Sequence, residues 1–214
     1  MNQEIPTINT VNKTEKIKNL FLNNKKKIIV LISTLILLLI GYFIILEINK
    51  KNQIKIANQY NNLTIKYIAG KKINIQEEMV KIINMKDKTY SPLALYFLLD
   101  NNIIVSVEKT NELFDIIIDE TKLNNEIRNL IIYKKALYNS ENDSESNLLK
   151  ILNPVINSDS VWKSHALYLL GEYFLSKNEK QKSKEFFEKI LITENANSKI
   201  KLEAQKRIQR DLSE

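Results

Sequence analysis

One uninterrupted apolar run near the start of the chain limits most strongly what this sequence can fold into. No charged residue lies between Ile28 and Leu46, and nearly every position in that run is aliphatic or aromatic. As an α-helix, at about 1.5 Å per residue, the run extends roughly 28 Å and matches the hydrocarbon core of a bilayer. Its end lacks the small residues of a signal-peptide cleavage site. We therefore predict a retained transmembrane helix over residues 28–46, which embeds this segment in the lipid bilayer.

Lysines on the N-terminal side of the run predict its orientation. The first 27 residues hold six Lys and two Glu, and three of the Lys directly precede Ile28. An excess of positive charge before the span predicts a cytoplasmic N-terminus and an exported C-terminal part. Residues 1–27 are polar and rich in Asn, which predicts a disordered basic tail. The alternative is an inverted topology, in which the C-terminal part faces the cytoplasm.

The remainder of the chain, residues 47–214, is predicted to be all-α. Gly and Pro number only three each in the whole sequence, although sheets and hairpin turns use both residues heavily. Apolar residues recur at helical spacing, and no stretch alternates strictly enough to predict a strand. We therefore expect a core built from packed helices.

Capping and turn residues predict where these helices begin and end. The helix that follows the span is predicted to end at Gly70, a common C-terminal breaker. The next is predicted to begin at Asn74, where Glu77 completes a capping-box pattern. Ser91–Pro92 is predicted to cap and start the third. Further helices are predicted from Ser106 onward and over residues 124–138, 148–156, 160–177, 180–193 and 198–211. The apolar stripes on the helices include Met79, Val80 and Ile83, then Leu113, Phe114, Ile117 and Ile118, and then Ile127, Leu130 and Ile131.

The helices recur as pairs with a nearly constant period. The first helices of successive pairs lie about 33 to 37 residues apart, close to the tetratricopeptide period of about 34. Because one pair cannot bury its own apolar face, stacked neighbours create the core and a final helix closes it. The predicted fold is all-α: a transmembrane helix, then a tetratricopeptide-like stack of antiparallel helix pairs with a C-terminal capping helix. The landmarks of the period are Ala57, Ala94, Ile127, Ser164 and Ser198.

The last pair carries the best local match to the tetratricopeptide pattern. Small residues at Gly171 and Ser183 are expected where its two helices cross, because they let the backbones approach closely. Aromatic residues are expected to fill the wedge between the helices. The match starts at Ser164 and comprises Leu167, Leu170, Gly171, Phe174, Ser183 and Phe187. It departs from the pattern at Ile190 and Asn195, and Leu137 stands where the preceding pair would need glycine.

This layout resembles the bacterial ancillary Sec-translocon subunit family, whose members have a short tail, one span and degenerate tetratricopeptide pairs. The likeness at the level of residues lies within 148–212. The resemblance implies a single-pass protein of the bacterial inner membrane with a periplasmic domain. It also implies association with Sec translocon subunits and periplasmic chaperones, which helps exported proteins to mature. The residues that carry it are Leu152–Pro154, Trp162, Ala166–Gly171, Phe186–Phe187 and Leu202–Ile208.

The sequence offers few groups for catalysis or metal binding. His165 is the only histidine and Cys is absent, so neither a nucleophilic dyad nor a zinc site of the usual kind can be assembled. The three glycines are isolated from one another, which argues against a phosphate-binding loop. Residues 28–214 hold 26 basic and 23 acidic side chains, a balance that argues against nucleic-acid binding. We predict a protein that is not an enzyme and holds no cofactor.

Aromatic residues are the candidates for contact with a protein partner. Trp162 is the only tryptophan, and tryptophan is enriched at the binding hot spots of protein interfaces. The alternative is that Trp162 packs in the core. The first helix of each pair lines the concave side of such a stack, so tyrosines on those helices are added to the set. The candidate binding residues are Tyr60, Tyr67, Tyr96, Tyr133, Trp162 and Tyr168.

The leading functional hypothesis is a membrane-anchored, protein-binding scaffold that serves as an accessory subunit of the Sec translocon and links it to periplasmic chaperones. One alternative is a coordinator of the cell envelope or of division that acts through self-assembly or wall-synthesis partners. Another is an adaptor that faces the cytoplasm, which follows from the inverted topology.

Overall fold

The computed structural model describes residues 18, 24–71, 74–104 and 106–212, and the regular elements in these ranges are all helical. The prediction of an all-α chain is confirmed. The chain divides into two compact units, Met1–Lys55 and Ile56–Glu214. The helices are α1 (Lys25–Ile68), α2 (Ile75–Asn84), α3 (Tyr90–Asp100), α4 (Val107–Asp115), α5 (Asn125–Asn139), α6 (Glu145–Ile156), α7 (Lys163–Ser176), α8 (Lys180–Ile192) and α9 (Ser198–Asp211).

The first unit contains the apolar run. In the described part of the chain, α1 is the one helix long and apolar enough to cross a membrane. None of its residues is buried, which distinguishes it from the core helix of a soluble protein. Ser33 and Thr34 each donate a hydroxyl hydrogen bond of 2.9 Å to the Val30 carbonyl, so neither hydroxyl needs an external partner in hydrocarbon. The predicted disordered tail lies largely outside the described residues, and Lys25–Lys27 form the first turn of α1.

Two of the predicted helix starts, at Ser106 and Asn124, carry side-chain caps in the second unit. The Ser106 hydroxyl accepts a hydrogen bond of 3.2 Å from the Lys109 N–H, and the Asn124 side chain accepts one of 2.8 Å from the Ile127 N–H. Each bond satisfies a backbone donor that the first turn of a helix leaves without an intrahelical partner. Gly70 follows the end of α1 with a φ of 78°, in the left-handed region that suits glycine after a helix.

Two other predicted caps are wrong. Asn74 precedes α2 but has a left-handed φ of 59° and makes no side-chain cap, so the predicted capping box with Glu77 is not formed. The N-cap residue of α3 is Thr89, not Ser91, and its side chain makes no capping hydrogen bond. Instead, Asp87 Oδ1 accepts hydrogen bonds from the Thr89 and Tyr90 N–H groups. The Ser91 hydroxyl is buried and donates a hydrogen bond of 3.0 Å to the Ile82 carbonyl. This bond connects α3 to α2, so the hydroxyl does not cap its own helix.

The core of the second unit consists of three adjoining clusters. The end of α1 with α2, α3 and α4 forms the first, helices α5 to α8 supply most of the second, and α7 to α9 form the third. The stripes of Met79 with Ile83, and of Leu113, Phe114 and Ile117, are buried as predicted, while Val80 and Ile118 are half-buried.

Two features of the backbone depart from a regular series of helix pairs. Helix α3 packs most extensively on α2, not on α4. Helix α4 leads into a π-helical turn, Ile116–Glu120, in which the Ile118 carbonyl accepts a hydrogen bond of 3.1 Å from Arg128 Nε on α5. Pro154 lies inside α6, which ends two residues later at Ile156.

The crossing of α7 and α8 is as close as the small residues predict. The Ser183 hydroxyl donates a hydrogen bond of 2.8 Å to the Gly171 carbonyl, and both residues are buried. A methyl group on Gly171 would lie 2.6 Å from Cε1 of Phe187, so the ring occupies the space where other residues carry a side chain. Glycine at this position therefore permits the contact between the two helices.

Candidate protein-binding surface

A groove between α3 and α5 forms an apolar depression on the surface of the second unit. Its volume is about 440 Å³. Most of its walls are aliphatic or aromatic, and we call it the α3–α5 groove. Its lining residues are Lys88, Thr89, Pro92, Leu93, Tyr96, Leu123, Asn124, Ile127, Leu130 and Ile131.

The groove exists because α3 and α5 carry more apolar residues than the core can cover. On α3, Ala94, Leu95 and Leu98 face the core and are fully buried. Leu93 therefore points away from it and is 40 % exposed, and Ile127 on α5 is 38 % exposed. Large apolar side chains that cluster in a concave, solvent-accessible position are typical of binding sites.

Tyr96 forms one wall of the groove. Its hydroxyl oxygen is buried and has no hydrogen-bond partner among the described residues. Burial, reinforced by the negative charge of Asp100, raises the pKa of Tyr96 to about 12. The Lys134 ammonium group lies 5.4 Å from the centre of the ring, within the range of a cation–π interaction. Tyr96 is therefore a neutral phenol held between an apolar wall and a nearby cation.

A second aromatic group joins the end of the α6–α7 loop to α5. The Trp162 ring stacks on Tyr133, with 5.9 Å between the ring centres and 20° between the planes, and His165 lies 5.1 Å from Trp162. All three side chains are half-buried. Burial lowers the pKa of His165 below its ordinary value of 6.5, while the Val161 backbone has the opposite, smaller effect. We call these three residues the Trp162 cluster.

The other predicted tyrosines lie apart from the groove. Tyr60 and Tyr67 both pack on Phe97, with ring centres 6.4 and 5.2 Å from its ring centre. Tyr168 packs on Phe187 at 5.3 Å, between α7 and α8. All three tyrosines are half-buried against the core clusters, so packing accounts for their positions.

The structure thus brings together only part of the predicted set. Tyr133 and Trp162 are in contact, and Tyr96 lines the groove. The aliphatic walls of the groove were not among the predicted site residues: Leu93 was not singled out, and Ile127 and Leu130 were assigned to an apolar stripe. The width of that stripe could have indicated the walls of the groove in advance, because α5 carries apolar residues at more positions than one buried face requires.

The groove is suited to binding an apolar side chain more than to performing chemistry. Within the described ranges, no group of three or more His, Cys, Asp or Glu side chains is arranged to hold a metal ion. Lys88 is the only charged residue among those that line the groove. Comparisons with protein-family models, curated proteins and solved structures find no match to this chain, so its function has to be inferred from its own residues.

Proposed function

We propose that this protein is a membrane-anchored scaffold that binds other proteins through its helical unit. The observation that carries the proposal is the α3–α5 groove, where Leu93 and Ile127 are substantially exposed beside Tyr96. Apolar side chains in such a groove gain free energy when a partner covers them, at roughly 25 cal/mol per Å² of apolar surface buried. The apolar run at residues 28–46 serves as the anchor, and no catalytic role is proposed.

The proposed repeat architecture is tetratricopeptide-like. Its support is the period of about 33 to 37 residues together with contacts between alternate helices. The end of α1 touches α3 through Tyr60 and Tyr67, α3 and α5 share the groove, and α7 contacts both α5 and α9. The close crossing at Gly171 and Ser183 agrees with the small residues that such pairs use. In this arrangement the groove lies between the first helices of successive pairs.

The proposed partners are Sec translocon subunits and periplasmic chaperones, and the proposed location is the bacterial inner membrane with the N-terminus in the cytoplasm. The support for the partners is the resemblance of residues 148–212 to the ancillary Sec-translocon subunit family. The support for the orientation is the group of lysines that precedes Ile28. Neither nucleic acid nor a cofactor is part of the proposal.

Co-purification from bacterial membranes in mild detergent tests the function. We expect the wild-type chain to retain Sec subunits or chaperones. Leu93→Asp should lose them, because burying an unpaired carboxylate beneath an apolar partner costs desolvation free energy. Lys150→Asp, an exposed change on α6, is the control and should behave as wild type. Recovery of division or wall-synthesis proteins in place of Sec subunits would contradict the proposed partners.

A reporter fused after Glu214 tests the orientation separately. Alkaline phosphatase is active only after export, whereas a green fluorescent protein exported through the Sec route does not fluoresce. We expect an active phosphatase and a dark fluorescent fusion. The reverse pair of results would establish the inverted topology and turn the proposal into a cytoplasmic adaptor.

A further inference from the structure

The α3–α5 groove is large enough to admit a large apolar side chain of a partner. Its volume of about 440 Å³ lies within the range of roughly 300 to 1,000 Å³ that is typical of ligand pockets. Leu93, Tyr96, Ile127 and Leu130 offer apolar contacts on two sides. Shape alone does not select among apolar partners, so the charges around the groove decide the class of partner.

One end of the groove carries a positively charged side chain. Lys88 lines the groove, is exposed, and has no ion-pair partner among the described residues. The nearest acid in sequence, Asp87, already accepts hydrogen bonds from the Thr89 and Tyr90 N–H groups. A partner carboxylate can therefore pair with Lys88 without displacing an ion pair that the described part of the chain already forms.

The other end of the groove is electrostatically different. Lys88 lies in the turn before α3, and Tyr96 lies six residues after the helix begins, roughly 9 Å along it at the helical rise. There Lys134 lies over the Tyr96 ring, but the negative charge of Asp100 also acts on Tyr96. Lys134 does not line the groove, so Lys88 is the cation that a partner seated in the groove meets.

From this polarity we propose that the α3–α5 groove binds a partner segment in which a large apolar side chain is followed or preceded by a carboxylate. The apolar side chain enters between Leu93 and Ile127, and the carboxylate pairs with Lys88. This inference rests on the proposed protein-binding function and names the chemistry that the groove selects. A segment with lysine in place of the acidic residue binds more weakly because it faces Lys88 with like charge.

The test uses the full chain in nanodiscs of phosphatidylcholine, so that detergent does not fill the groove. The probes are three fluorescein-labelled peptides of equal length: one with leucine beside two glutamates, one with lysines in place of the glutamates, and one with serine in place of leucine. Fluorescence anisotropy measures Kd, and empty nanodiscs correct for binding to lipid. We expect the leucine–glutamate peptide to bind at least about tenfold more tightly than either of the others.

Three single variants locate the carboxylate. Lys88→Glu should weaken binding of the leucine–glutamate peptide by about tenfold. Lys134→Glu should weaken it by less than about threefold, because Lys134 does not line the groove. Lys150→Glu, on α6, has the same charge change far along the chain and should leave Kd unchanged. Equal effects of Lys88→Glu and Lys150→Glu would overturn the inference, as would equal binding of the glutamate and lysine peptides.

The outcome is separable from that of the proposed function. If Leu93→Asp abolishes co-purification of cellular partners while the peptides do not discriminate, the scaffold stands and the acidic selectivity is wrong. If the leucine–glutamate peptide binds as predicted while no Sec subunit or chaperone co-purifies, the groove chemistry stands and the proposed partners are wrong.

Discussion

Replacing Gly171 by alanine tests whether the α7–α8 crossing is as tightly packed as its geometry indicates. The added methyl carbon would lie 2.6 Å from Cε1 of Phe187 and 2.8 Å from its Cδ1 and Cζ atoms. Phe187 is fully buried and packs against Tyr168, so its ring has no open space to enter. The clash must be relieved by a shift of the Phe187 ring or of the helices, and a shift of the helices also lengthens the hydrogen bond from Ser183 to the Gly171 carbonyl.

Two opposing free energies set the size of the effect. Overpacking a core with one extra carbon typically costs about 1–3 kcal/mol, while replacing glycine by alanine inside a helix gains about 1 kcal/mol. We therefore expect the free energy of unfolding to fall by about 1 kcal/mol, within a range of about 0–2 kcal/mol. The clash itself is isolated by combining Gly171→Ala with Phe187→Leu, which removes the ring atoms that the methyl group would meet.

Urea unfolding of the full chain in detergent provides the measurement. The fluorescence of Trp162, the only tryptophan, reports on the α5–α7 contact, and far-ultraviolet circular dichroism reports on the helices. In the Phe187→Leu background, Gly171→Ala should become neutral or stabilising, which gives a coupling energy of about 1–3 kcal/mol. A coupling energy below about 0.5 kcal/mol, or stabilisation by Gly171→Ala alone, would refute the tight crossing.

Three further predictions use the same unfolding assay. Tyr96→Phe removes a buried hydroxyl with no described partner and should raise the free energy of unfolding by up to about 1 kcal/mol. Tyr173→Phe removes a hydroxyl that donates to a backbone carbonyl and should lower the free energy of unfolding by about as much. A change of the same sign for both variants would contradict this reasoning. Burial lowers the pKa of His165, so near and below the ordinary pKa of 6.5 the unfolded state binds more protons than the folded state, and stability should fall as pH decreases through about 6.5. His165→Phe should flatten this part of the plot of stability against pH. An unchanged slope of that plot would exclude His165 as its cause. Arg207→Met breaks a half-buried ion pair with Glu172 on α7, which attaches α9, and a second one with Asp211 within α9. It should cost about 1–2 kcal/mol and speed hydrogen exchange in α9, while Lys206→Met on the same helix breaks one exposed pair and should cost less than about 0.5 kcal/mol. Equal costs would show that the pair with Glu172 does not hold the helix.

Local rules predicted the features that depend on neighbouring residues. The apolar run, the helix that ends before Gly70 and the helix starts at Ser106 and Asn124 each follow from a few adjacent positions, and each is present. The α7–α8 crossing was also predictable, because Gly171 and Ser183 are small residues at matching positions of two helices in sequence. In each case the residue adopts the conformation or makes the contact that its neighbours in sequence favour.

Features that depend on distant residues were not predictable in the same way. The Ser91 hydroxyl had two competing uses, a local cap and a bond to the Ile82 carbonyl, and only packing of α3 on α2 selects the second. Ile127 and Leu130 have the spacing of core residues, yet the position of α3 leaves them in a groove. The stacking of Tyr133 on Trp162 joins residues that are far apart in sequence, so no local pattern contains it.

The most direct test of the protein-binding account is photo-crosslinking in living bacteria. The photoreactive residue p-benzoylphenylalanine is placed at Leu93 in the α3–α5 groove, and at Lys150 on α6 as the control. The account predicts a discrete crosslinked species at Leu93, identified by mass spectrometry as a Sec subunit or a periplasmic chaperone, and none at Lys150. Absence of any crosslink at Leu93, or the same products at both positions, would contradict the claim that this groove binds a protein partner.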